Sequence, residues 1–358
     1  MTHGSAPSSF GNLLALQRRR ITILTPLSLM RFSRPLALAA AILVAGCASL
    51  QQGTTEYRLN VTGAAQGLSR VTSDAVDEYS PAPSPDAGIL LFETRDDQDQ
   101  SAIVGVDPTS GARRTVYTGG NSLAADPAWD PTGRFFVYSS NSTGNWSLVR
   151  TVSNSPNAAV SIVVNGDAAP VVSSPSISPD GRKIVFGTYM RNVWHLGMTN
   201  LDGSGLMTLL GEGHDPVFSP DGKRIAFVRI VSGRAQIFSL DPETGSKVIQ
   251  VTNGDHDNVN PSWSPDGQYI LFASNRATTK PQRGYVVGES TERQGRFNLY
   301  ALRPDGTQLV QLTDGEANSG NPVWAKDGWI YFSSNQAGNF DIWRLKPTGE
   351  LVAPQGSK

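Results

Sequence analysis

From residue 67 onward the chain alternates short apolar runs with tight polar turns, and no amphipathic helical stretch interrupts them. One phrase organises the pattern: a proline, two residues, Ser-Pro-Asp-Gly or a variant, then a mostly apolar strand. It starts at Pro81, Pro127, Pro175, Pro216 and Pro261, and returns at Pro322 with its turn eroded to Ala325-Lys326-Asp327-Gly328. The third turn residues (Asp86, Thr132, Asp180, Asp221, Asp266, Asp327) are 46, 48, 41, 45 and 61 residues apart, in the range of a propeller blade.

The phrase has a physical reading. Proline at the second turn position and glycine at the fourth suit a type I turn. The run that follows, such as Lys223–Val228, is short and rich in strand formers. A continuous rather than alternating apolar run suits a strand covered on both faces. A further strand is predicted at Gln236–Leu240, Asn298–Leu302 and Asp341–Leu345. Turns such as Asp202-Gly203 and Asp305-Gly306 follow, and then outer strands such as Val248–Thr252 and Leu309–Thr313. The fold class is therefore all-β: a six-bladed β-propeller of four-stranded antiparallel blades, closed into a ring so that few strand edges are left open.

Closure is also written in the chain. Leu68–Thr72 copies Val248–Thr252 and Leu309–Thr313, yet precedes the first blade. It is expected to complete the last blade beside Asp341–Leu345. The competing closure uses Glu350-Leu351-Val352. Tyr57–Val61 is also strand-like, which leaves a partial extra blade open.

These units resemble the propeller repeats of the TolB family and, more distantly, the propeller of dipeptidyl-peptidase-type enzymes, over roughly residues 67–350. The resemblance implies the fold and a capacity to hold a protein partner, an envelope protein such as a peptidoglycan-associated lipoprotein. It stops short of the whole family pattern. The soluble TolB member carries a sizeable domain ahead of its propeller, and nothing of that size fits between Cys47 and Leu68. Energy-coupled envelope constriction is therefore not implied.

The N-terminus accounts for the one cysteine. Leu36–Gly46 is an apolar run preceded by Arg31 and Arg34, too short for a stable span, and it ends in Val44-Ala45-Gly46-Cys47. This ending resembles the bacterial lipobox, which implies cleavage after Gly46 and acylation of Cys47. Ala48 follows where Asp would mark inner-membrane retention, so the expectation is an outer-membrane lipid anchor facing the periplasm. Met30 opens a conventional signal, and residues 1–29 fit no such pattern. The expected division is a signal peptide over 1–46, a lipidated cysteine and tether over 47–66, and the propeller over 67–358.

Composition narrows the function. Thirty Lys and Arg balance 31 Asp and Glu, which argues against a nucleic-acid partner. A single cysteine excludes an internal disulfide and a thiolate-rich metal site. No Gly-x-Ser-x-Gly elbow and no calcium-loop spacing are present. His195 reads as packed within a blade. His214 and His256 lie just before repeat prolines and are the candidate metal ligands of an alternative reading, a metal-dependent glycan lyase or hydrolase using the channel.

Two features point to binding without catalysis or cofactor. The residue before each repeat proline is small and polar: Ser80, Asp126, Ser174, Asp215, Asn260 and Asn321. Opening the innermost strands, these six are expected to ring one mouth of the channel as a polar socket. The long fifth interval holds an insertion from Arg276 to Arg296. It carries Arg276, Lys280, Arg283, Tyr285, Arg293 and Arg296 as candidate contacts, and strand order puts it over the same mouth. The expected function is a lipid-anchored, periplasm-facing scaffold.

Overall fold

The computed structural model describes residues 59–351, apart from 97, 99, 118–121, 143, 154–160, 166–170, 206 and 278–295. Six four-stranded antiparallel sheets follow one another around a ring. Their innermost strands are Asp77–Pro83, Ala124–Trp129, Val172–Ile177, His214–Phe218, Asn258–Trp263 and Ser319–Trp324. Each packs against the innermost strand of the next blade, and the sixth returns to the first.

The second strands show why the apolar runs do not alternate. Ile270–Ser274 and Ile330–Ser334 are buried at every position. Side chains on both faces enter the wedges between blades, so each wedge has its own core. Val137 and Leu148 of blade two meet Val172 and Phe186 of blade three, and Val185 and Leu196 of blade three meet Phe227 and Leu240 of blade four. Each fully buried Leu or Phe of this kind contributes on the order of 2 kcal/mol of transfer free energy.

The Ser-Pro-Asp-Gly turns are self-contained hydrogen-bonded units. The Ser219 hydroxyl donates to Asp221 Oδ1 at 2.6 Å and accepts from the Arg224 amide at 3.0 Å, while the Gly222 amide donates to the Ser219 carbonyl at 2.9 Å. Ser84, Ser178 and Ser264 repeat the first bond at 2.6 Å. The fourth position needs a left-handed backbone, φ 71° at Gly222, which glycine supplies without a Cβ clash. Accepting these donors holds the Asp180 and Asp221 carboxyls below their usual range, the serine hydroxyl contributing most.

The ring closes with the N-terminal strand. Ala65–Arg70 pairs with Asp341–Pro347 as the outer strand of blade six. The likeness to the other outer strands extends to single atoms. The Thr72, Thr252 and Thr313 hydroxyls each accept the amide of a third-strand residue, Ile342, Ile237 and Leu299, at 2.8–2.9 Å. Leu351 belongs to a short 3-10 turn, so the C-terminal alternative is not the closure used. Leu59–Val61 builds no extra blade; it forms a two-stranded ribbon with Thr313–Gly315, and Leu59 joins the core between blades five and six.

Candidate functional site

The ring of innermost strands encloses a cavity of about 750 Å³, lined by residues of all six blades. All six pre-proline residues face it: Ser80, Asp126, Ser174, Asp215, Asn260 and Asn321. They sit near the middle of the innermost strands, one to three residues inside the mouth where sequence placed them.

A shared backbone device presents them. All six are left-handed, with φ between 49° and 53°. The ladder skips at each: between Tyr79 and Ala82, Ala125 and Ala128, and at matching points in the other four blades, two innermost residues oppose one on the second strand. This is a β-bulge, and its second residue is the repeat proline, which has no amide to leave unpaired. The residue opposite is a buried aromatic every time: Phe92, Tyr138, Phe186, Phe227, Phe272 and Phe332. Left-handed geometry favours Asn and Asp, so part of the polar composition is a backbone requirement. Ser80 and Ser174 gain less from it. Strain of about 1 kcal/mol per residue, repeated around one channel, is the kind that clusters at binding sites.

The ring residues bond across blades. Asp126 accepts the Ser174 amide through Oδ2 at 3.0 Å and the Ser80 hydroxyl through Oδ1 at 3.4 Å. The Ser174 hydroxyl donates to Asp215 Oδ1 at 2.8 Å, and Asn260 Oδ1 accepts the Asn321 amide at 3.4 Å. Burial, helped by the Glu93 and Asp215 carboxylates, pushes the Asp126 carboxyl up to about 7. Glu93 itself lines the cavity and pairs with Arg95. Sequence reasoning missed it. The signal was there: the matching second-strand residues of the other blades, Ser139, Gly187, Val228, Ala273 and Ser333, are small or apolar.

Toward the turn end the lining becomes apolar. Trp129, Ile177, Phe218, Trp263 and Trp324 end their innermost strands, and the turn prolines Pro85, Pro131, Pro179, Pro220 and Pro265 lie beyond them, with Lys326 at the sixth place. The indoles also staple blades: Trp129 Nε1 donates to the Ala82 carbonyl at 2.9 Å and Trp263 Nε1 to the Val217 carbonyl at 3.2 Å.

The other candidates fare differently. Arg276 is committed within its own blade. Its guanidinium stacks over Phe272 and Tyr300, at 5.2 and 4.8 Å from the ring centroids, and donates to Asn258 Oδ1 at 2.7 Å, which packs it within the blade. Arg296 reaches Glu316 at 3.9 Å on the surface. Lys280, Arg283, Tyr285 and Arg293 lie outside the described residues, as does Cys47 with the whole of 1–58. His195 lies in the third strand of blade three, paired with Thr188. His214 is buried at the start of blade four's innermost strand, with Nδ1 3.3 Å from Asp215 Oδ2. His256 is held below its usual range, first by burial and then by Arg276. Among the described residues no three His, Cys, Asp or Glu side chains gather closely enough to hold a metal ion.

Comparison with known proteins fits this geometry. The TolB beta propeller domain matches residues 157–290. The body of this chain is a TolB-like β-propeller. The Tol-Pal system protein TolB of Francisella tularensis is 28% identical over 111 residues, 30% of this chain and 25% of that protein. The uncharacterized peptidase YuxL of Bacillus subtilis is 29% identical over 197 residues, 46% of this chain and 29% of that protein. The chain thus spans under a third of either relative. Among solved structures, a putative TolB from Agrobacterium tumefaciens superposes with a TM-score of 0.57 at 17% identity, covering 82% of this chain and 100% of that one. That likeness establishes the fold alone.

Proposed function

We propose that this TolB-like propeller is a lipid-anchored, periplasm-facing scaffold that holds a protein partner of the cell envelope at its channel and catalyses no reaction. One observation carries the reading: six blades each spend a strained backbone position to turn a small polar group into one cavity. The lipobox-like ending at Cys47 supports the outer-membrane anchor. The Tol-Pal relative supports a partner of envelope type, with a peptidoglycan-associated lipoprotein as the first to test. The glycan-lyase alternative gains no observation from the placement of His214 and His256.

The test is capture from detergent-solubilised envelopes, with glycine as the informative substitution. Alanine would keep the left-handed strain while deleting the side chain, whereas glycine removes both. The Asp215→Gly and Asn260→Gly pair should weaken capture by about 10- to 100-fold, the worth of one or two polar contacts. The Asp180→Ala and Asp266→Ala pair, in turns at the opposite end of the innermost strands, should leave capture intact and lower Tm. In the same preparation Cys47→Ser should move the folded protein out of the membrane fraction. Capture lost only with the turn pair, or membrane retention without Cys47, would refute the corresponding part of the reading.

A further inference from the structure

The ring is uneven in charge. Blades two and four supply carboxylates, Asp126 and Asp215, while blades five and six supply the amides Asn260 and Asn321. Ser174 stands between the two carboxylates, with its amide on Asp126 and its hydroxyl on Asp215, so they flank a single residue. The charged groups around them do little to balance them. Glu93 is matched by Arg95, and Lys326 lines the opposite, turn end of the cavity. Asp126 is bonded to two neutral donors. Asp215 lines the cavity with its side chain only 10% exposed, and its Oδ2, buried behind that surface, accepts no hydrogen bond, with the His214 imidazole Nδ1 3.3 Å away. Buried carboxylates served by neutral donors are under-compensated, and a cation is what relieves them.

We propose that Asp126 and Asp215 form a subsite for one cationic side chain, the guanidinium or ammonium of an Arg or Lys that the protein partner inserts into the channel. This rests on the scaffold reading, in which the channel faces the partner. Among the described residues no third ligand gathers with these two in the way a metal ion requires. A head with several donors, by contrast, engages two separate carboxylates without a closed coordination shell. The apolar lining toward Ile177 and Phe218 takes the methylene stem of such a side chain. The raised Asp126 carboxyl belongs to the same picture: bringing in a cation lowers it, so binding releases protons near neutral pH.

The chain itself supplies the conservative variant. Asn occupies the same left-handed position in blades five and six, so Asp126→Asn with Asp215→Asn keeps the backbone and one acceptor oxygen at each position, enough for the Ser174 amide and hydroxyl, while removing the charge. The probes are butylguanidinium and its neutral isostere N-butylurea, titrated into the full chain at about 0.1 M salt and followed by calorimetry or saturation-transfer NMR. The cation should bind at least about 10-fold more tightly than the urea. The double Asp→Asn variant should fold with an undiminished Tm and bind the two probes equally. Asn260→Asp with Asn321→Asp should extend the anionic arc and tighten cation binding. Equal binding of both probes by the unaltered chain, or cation selectivity that survives the double Asp→Asn change, overturns the proposal. Partner capture lost in the glycine pair but intact in the double Asp→Asn variant leaves the scaffold standing and removes the cationic subsite.

Discussion

The seam between blades six and one and the seam between blades four and five solve the same problem with different chemistry. Both tie the start of an innermost strand to the third strand of the preceding blade. Asp77 Oδ1 accepts the Phe340 amide at 3.0 Å, and Asp257 Oδ1 accepts the Ala235 amide at 3.0 Å. In the four–five seam the chain is continuous and the buried carboxylate is amply served: Asn275 Nδ2 donates to Asp257 at 3.0 Å and Arg234 at 3.3 Å. In the six–one seam the outer strand comes from the far end of the chain, and two buried carboxylates, Glu78 and Asp341, meet one cation. Arg70 of the closing strand binds Asp341 at 2.8 Å. Both seams use an ion pair, but the six–one seam sets two buried carboxylates against its one cation, and the cost is a group that ionises only with difficulty.

The largest way to break this contrast is to remove the closing strand. Deleting residues 48–72 leaves Asp341–Pro347 as an open edge, and the protein should aggregate during purification. Deleting 48–58 leaves every described strand in place and should preserve Tm. Equal Tm values for the two truncations would show that Ala65–Arg70 does not close the ring.

Removing one cation from each seam sharpens the contrast. Arg70→Ala strands a buried carboxylate beside Glu78 and should cost about 3 kcal/mol in urea unfolding, at the lower end for a broken buried pair because Arg70 is partly exposed. Arg234→Ala leaves Asp257 its two neutral donors and should cost about 1 kcal/mol. Equal losses would mean that the seams are energetically alike.

Glu78 gives the most specific effect, one confined to a pH window. Burial, with a contribution from Asp341, raises its carboxyl from 4.5 to about 7, while the Thr72 hydrogen bond and Arg70 oppose the shift. A carboxyl raised in the folded state stabilises most below its unfolded value, and that contribution is lost as pH rises through about 7. Glu78→Gln holds the neutral form. It should match the unaltered chain near pH 4.5 and exceed it by about 2 kcal/mol at pH 8. A pH-independent difference between the two would exclude Glu78 as the titrating group.

Much of this was legible from the chain because the repeat states it six times. The turn, the apolar second strand and the Val71-Thr72, Val251-Thr252 and Leu312-Thr313 endings recur with the same spacing to their blades, and each proved to be one hydrogen-bonding device. What sequence could not supply was the reason for the polar residue before each proline. Reading it as a strand opening placed it at the mouth, whereas the bulge holds it further in, left-handed and aimed at the channel. Features that occur once were also hidden. Glu93 is the one carboxylate at its second-strand position, and Arg276, a candidate contact by sequence, is packed under Phe272 and Tyr300. The Asn ending three second strands, Asn141, Asn275 and Asn335, was a repeat that could have been read. Its side-chain oxygen accepts the Leu123, Asp257 and Asn318 amides at 2.7–2.8 Å, bracing the start of the innermost strand of its own blade.

The small ribbon of Leu59–Val61 on Thr313–Gly315 gives the ring a mechanical order. A pull on the chain ahead of Leu59 reaches this three-residue pairing before it reaches Ala65–Arg70. The ribbon is anchored to the strand that follows the outer strand of blade five, while the closing strand is anchored to blade six, so load is first passed sideways into a neighbouring blade. Thr62 adds a second fastening there, donating to the Gln311 carbonyl at 2.5 Å. The latch that keeps the propeller shut thereby lies behind a short clasp, which takes such a load first.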